Sequence, residues 1–157
     1  MARPLRIVVG VDGSEHSHRA LEWAVAEATR WGATLTVLHA WWFGVTPTDP
    51  HAADATREIG RAAQGLVDDE VGFARDAGIE ATGVLVFERA HRALIDASGD
   101  ADLVVVGSRG LGAVAATLLG SVSQACVRHA HCPVVVVPDG DGPSGPRTES
   151  QVAGAER

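Results

Sequence analysis

Five short runs rich in branched apolar residues punctuate the chain, at 5–11, 33–40, 79–87, 103–106 and Val134–Val137. Several are apolar almost without interruption instead of alternating, which is the pattern of parallel strands covered on both faces. Between them, apolar residues return at helical spacing. Ala20, Leu21, Ala24, Val25 and Ala28 form one stripe, with Glu15 and Arg19 placed to pair one turn apart on the outside. A longer helical pattern covers about 51–77 and sets Ile59, Ala62, Leu66 and Phe73 on one face. A third covers about 90–97, and a fourth begins near Ser121 and ends near Ala130. Strand alternating with helix predicts right-handed βαβ units, hence an α/β fold with an open parallel sheet and helices on both faces. From Asp139 the chain reads "DGDGPSGPRTESQVAGAER", so a folded domain is expected over 1–138 and a disordered tail over 139–157.

Composition narrows the possibilities. A chain of 157 residues, 46% apolar and 21% charged, suits one soluble domain with its own core. The formal net charge of −7 argues against a sequence-independent grip on nucleic acid, which needs basic surface. Every basic residue is arginine, and the absence of lysine excludes a Walker-type phosphate loop. Cys126 and Cys132 are too few for a disulfide framework or zinc cluster and read as free thiols. Arg3 and Arg6 precede only a short apolar run, unlike a signal peptide, and no apolar stretch is long enough to span a bilayer. A cytoplasmic protein without a membrane partner is the expectation.

Candidate chemistry lies where strands end in glycine. The first strand runs into "GVDGS" (10–14) and the fourth into "GSRGLG" (107–112). In open α/β sheets ligands bind beyond the carboxyl ends of strands, where the winding direction reverses. If these strands are neighbours, their loops flank one crevice. Gly107, Gly110 and Gly112 are then expected to let the main chain approach an anion, with positive φ where needed. Ser121 reads as a helix N-cap, leaving the N–H groups of Val122 and Ser123 in a first turn that carries partial positive charge. Such a terminus holds phosphate without lysine. The hydroxyls of Ser121 and Ser123 are further candidate donors, and Arg109 a mobile counter-charge. Each feature taken singly is also ordinary turn chemistry. Together they make a specific pattern, G-x2-G-x9-G-S, from Gly107 to Ser121.

That spacing, with "VGVDGS", "TVLHA", "ADLVVVGSRG" and "HCPVVVVP", resembles the universal stress protein family in its ATP-binding subclass, over residues 5–138. The resemblance implies a Rossmann-like five-stranded parallel sheet in the order 3-2-1-4-5. It also implies a nucleotide-dependent stress-response module that binds ATP in the crevice and hydrolyses it slowly at most. Carried over by position, Gly10 and Val11 would line the adenine side and Ala40 would meet the adenine edge through its backbone. Asp12 would touch ribose or a phosphate-bound Mg, with no metal held by protein alone. Gly107, Gly110, Gly112, Gly120, Ser121, Val122 and Ser123 would surround ribose and phosphates, beneath Arg109. The family often pairs its last strand across a two-fold, which implies a homodimer through Val134–Val137. A departure from the family is "FERAHRA" (87–93) in place of its usual Gly-x-Pro turn.

Other residues admit blander roles. Asp12 is equally a turn or capping residue. His16/His18 and His129/His131 are two apart, so neither pair shares a metal from one helix face; His129 suits a helix C-terminus. His39 is expected to be a half-buried strand residue, Cys126 to face the core, and Trp41, Trp42 and Phe43 either to stack on adenine or to pack under a neighbouring loop. The competing function is an ATP-using enzyme for adenylyl or phosphoryl transfer, with His39 or His91 as its base. A dinucleotide or flavin carrier fits less well, because "GVDGS" is not G-x-G-x-x-G and no acidic residue ends the second strand.

Overall fold

The computed structural model describes residues 3–42, 50–111 and 119–140. Its strands are β1 (Arg6–Gly10), β2 (Thr34–Ala40), β3 (Ala81–Val86), β4 (Leu103–Gly107) and β5 (Val134–Val137). Its helices are α1 (Glu15–Trp31), α2 (Pro50–Asp76), α3 (Ala90–Ser98) and α4 (Ser121–His129). The strands form one parallel sheet in the order β3-β2-β1-β4-β5, as the sequence leads one to expect.

Alternation along the strands divides the core in two. Ile7, Val9, Leu35, Val37 and Val105 turn to one face and pack with α1 and α2. Val8, Leu38, Val104 and Val106 turn to the other and meet Leu94 of α3 and Cys126 of α4. Both faces of β1 and β4 are therefore dry, which explains their unbroken apolar runs. β1 pairs with β2 on one side (Val9 opposite Val37) and with β4 on the other (Val8 opposite Val104). Since the crossover helices of the two halves lie on opposite faces, the winding reverses between β1 and β4.

Local chemistry sets the helix ends. Ser14 caps α1, its hydroxyl accepting the Ser17 N–H at 3.2 Å. Gly32 ends it in the left-handed conformation (φ 62°), where a Cβ would be strained. The buried stripe of α1 is the expected one, and Arg19 meets Glu15 at 2.6 Å outside it.

Helix α2 departs from expectation. Its buried positions are Ala63, Val67, Glu70, Val71 and Ala74, whereas Ile59 and Phe73 stand exposed. The apolar face thus lies about one residue from the one expected. The cause is Glu70, a core-facing position filled by an acid, which accepts a 2.9 Å contact from His18 Nδ1 of α1. A polar letter in the inward stripe made the outer stripe look more regular.

Candidate functional site

Beyond the ends of β1 and β4 the surface opens into a cleft of about 430 Å³, within the usual range for a small-molecule site. Gly10, Val11, Asp12, Ala40, Gly107, Arg109, Gly110, Gly120, Ser121, Val122 and Ser123 all line it. Gly112, also expected there, lies outside the described residues. Leu38 of β2 and Ala90 and Leu94 of α3 supply apolar wall that the sequence did not mark. Among the described lining residues, Asp12 and Arg109 are the charged ones.

Asp12 joins the two loops. Gly13 turns at φ 84° and brings Ser14 back onto the carboxylate. Asp12 Oδ1 accepts the Ser14 N–H at 2.9 Å and the Ser14 hydroxyl at 2.5 Å. Its Oδ2 accepts the Leu111 N–H at 2.8 Å, across 99 residues of chain. Partial burial pushes this carboxyl upward, but hydrogen bonds from Ser14 and Leu111 outweigh it and hold the group below the ordinary carboxylate range. Asp12 therefore plays the turn role, with Ser14 capping α1, and adds a clamp on the glycine loop.

The glycines are explained differently from the sequence expectation. Gly10, Gly107, Gly110 and Gly120 all have negative φ, because among described residues positive φ occurs at Gly13, Gly32 and Gly78. Crowding by the protein's own chain is the reason at two positions. A Cβ on Gly107 would sit 2.9 Å from the His16 carbonyl oxygen, and one on Gly110 would run into the Asp12 carboxylate. At Gly120 the nearest atom would be the Ser108 carbonyl oxygen at 3.5 Å, an ordinary contact.

Helix α4 begins at Ser121, as expected, so its cap falls one residue earlier than the sequence suggests. Gly120, not Ser121, holds the cap position, with no side-chain bond. Ser123 is no free donor: its buried hydroxyl lies 2.9 Å from the Gly120 carbonyl and 3.1 Å from that of Ser108. Such an inward hydroxyl satisfies backbone acceptors that would otherwise be stranded. The first intrahelical hydrogen bond runs from Gln124 N–H to Gly120 C=O at 3.0 Å. The N–H groups of Ser121, Val122 and Ser123 precede it, in the turn where the helix carries its positive end.

Arg109 forms an ion pair: its Nε lies 2.5 Å from Asp139 Oδ2, by charge proximity and outside hydrogen-bond geometry. Asp139 also receives the Ser108 hydroxyl at 3.2 Å and pairs with His16 Nδ1. Desolvation pushes the Asp139 carboxyl up, yet the Ser108 hydrogen bond and the charges of His16 and Arg109 bring it below its ordinary value. Asp139 thus adjoins the site through Arg109 without lining the cleft, whereas the sequence placed it at the head of a tail. The missed signal was an acid two residues past a strand whose carboxyl end, like those of β1 and β4, points to the cleft side of the sheet.

Two other expectations resolve. His39 Nδ1 lies 2.7 Å from the Val11 carbonyl oxygen, and by alternation its side chain leaves the sheet opposite to Leu38 and Ala40, which line the cleft. Trp41 and Trp42 gather on Phe87, with ring centroids 4.9 and 5.2 Å apart, and do not line the cleft. Phe43 lies outside the described residues. Cys126 faces the core, and burial pushes its thiol up to about 11.

A doubly wound parallel sheet with a cleft at its reversal point defines a Rossmann-like α/β domain. The chain belongs to the universal stress protein family, whose model matches residues 5–138. Universal stress protein Rv2005c of Mycobacterium tuberculosis is 36% identical over 157 residues, covering 90% of this chain and 51% of that protein. The chain thus spans about half the length of such relatives. Among solved structures, universal stress protein UspA from Lactobacillus plantarum shares the fold, with TM-score 0.75, 24% identity, and 87% and 99% of the two chains covered. A universal stress protein solved in complex with cAMP is 30% identical, with TM-score 0.68 over 85% of this chain and 96% of that one.

Proposed function

We propose that the cleft binds an adenine nucleotide, ATP among its ligands, and that the protein is a nucleotide-dependent stress-response module with slow hydrolysis at most. The observation that carries this reading is the amide terminus of α4, opening with three N–H groups beside a small residue, Gly120, on the cleft wall. Backbone donors at a helix start hold phosphate without a cationic side chain. Apolar wall from Leu38, Ala40 and Leu94 suits a purine base, and the cAMP complex of a 30% identical protein supports adenine as that base.

Among the described residues no group of three His, Cys, Asp or Glu side chains is gathered to hold a metal. Both Asp12 oxygens already accept hydrogen bonds from the protein. A Mg ion would thus be held mainly by the nucleotide's phosphates, with Asp12 as its protein neighbour. His39 departs from the opposite face of the sheet and His91 is not among the described lining residues, and Asp12, the carboxylate on the wall, already accepts hydrogen bonds at both oxygens; this favours binding over transfer.

The same reading pairs two copies through β5. This strand meets β4 on one side only, and all four of its valines remain half-buried. No described helix is long and apolar enough to cross a membrane. AMP and ATP should each raise the melting temperature with concentration, as ligands specific to the folded state do. A melting temperature unmoved by millimolar nucleotide contradicts the reading.

A further inference from the structure

We propose that Asp139 is a specificity-determining residue of the cleft, setting through its hold on Arg109 how strongly phosphate is taken relative to the uncharged nucleoside. This rests on the nucleotide-binding reading above and concerns which part of the nucleotide the site rewards.

The amide end of α4 offers donors to one phosphate group at the helix start. Each further phosphate adds negative charge and needs a cation to balance it. Among the described lining residues the one cationic side chain is Arg109. Its Nε is 2.5 Å from Asp139 Oδ2, so its charge is already matched. What then faces the ligand is the carboxylate of Asp12, anionic across the neutral range because its hydrogen bonds hold it ionised. The cleft as built is therefore neutral to slightly negative, and it favours a nucleoside or monophosphate over a triphosphate.

Asp139 is well placed to compete. Its side chain is 11% exposed, so its attraction for Arg109 is screened less than that of a surface pair. The Ser108 hydroxyl at 3.2 Å and His16 Nδ1 hold it from two further sides. The backbone supports the position as well: Ser108 N–H donates to the Val137 carbonyl at 2.8 Å, pinning the end of β5 to the end of β4. A polyphosphate that draws Arg109 toward the cleft must take it from this carboxylate. By reciprocity, loss of that partner loosens the segment after β5.

The test is calorimetric titration of adenosine and ATP into the whole chain and into Asp139→Asn, which retains a hydrogen-bond acceptor for Ser108 but no charge. The expected result is ATP binding tightened about fivefold, the scale of a partly exposed ion pair, with adenosine affinity unchanged. Adding Arg109→Gln to Asp139→Asn should erase the gain. Deuterium exchange of the Ser108 amide, which donates to the Val137 carbonyl, should quicken on adding ATP to the wild type and not on adding adenosine. ATP affinity unmoved by Asp139→Asn overturns the proposal, as does a gain that survives Arg109→Gln or an equal gain for adenosine. If neither adenosine nor ATP binds wild type or variant, the nucleotide reading itself falls, and this inference with it.

Discussion

At the scale of single residues, the site is held together by carboxylates that accept backbone and hydroxyl hydrogens. Asp12 ties the start of α1 to the loop after β4, through Ser14 on one oxygen and Leu111 on the other. Asp12→Ala should lower unfolding free energy by about 2 kcal/mol, the range for hydrogen bonds to a charged acceptor. Chemical denaturation of the variant checks this. Because folding holds the Asp12 carboxyl below its ordinary range, its stabilisation is fully present above about pH 4 and is lost as pH falls through the lower folded-state value. Asp12→Asn should flatten that part of the acid limb of the stability curve; an unchanged limb shows that Asp12 is not linked to folding.

Elements answer for the rest of the frame. On α2, Val67 is 1% exposed and packs in the core, whereas Ile59 is 47% exposed. Val67→Ala should cost about 2 kcal/mol through lost burial and a cavity, and Ile59→Ser less than about 0.5 kcal/mol. Equal effects in thermal melts return the helix to the face first expected of it. This helix also marks the limit of what was legible beforehand. Strand positions follow from continuous apolar runs, a feature that acts locally, whereas the strand order rests on the family resemblance carried by the glycine motif. The rotation of α2 followed from neither, because Glu70 is buried by a partner, His18, that lies 52 residues away. The glycine pattern after β4 points to close approach by an anion, yet what lies against Gly107 and Gly110 is His16 and Asp12, brought there only by tertiary packing. Asp139 was hidden for another reason: its neighbours have the composition of a linker, and only the pairing of β5 with β4 brings it to Arg109.

For the whole molecule, sheet order decides where the cleft forms. Placing β1 beside β4 puts the Asp12 turn, the glycine loop and the start of α4 around one cleft, and it leaves β5 at the end of the sheet. An edge strand of four valines invites pairing with another strand. Sedimentation equilibrium at micromolar concentration should therefore return twice the chain mass of 16.3 kDa. A monomer at every concentration removes the β5 interface from the account.

The central claim is that main-chain N–H groups at the start of α4 hold the nucleotide's phosphate. Gly120→Val tests it most directly, because its φ of −70° and ψ of 166° suit a branched residue and the added Cβ meets only an ordinary contact, while the side chain occupies cleft wall. Calorimetric titration with AMP should give saturable binding to the wild type and at least a tenfold loss in the variant, with cooperative unfolding retained. Wild-type affinity for AMP in folded Gly120→Val would place the phosphate elsewhere and contradict the account.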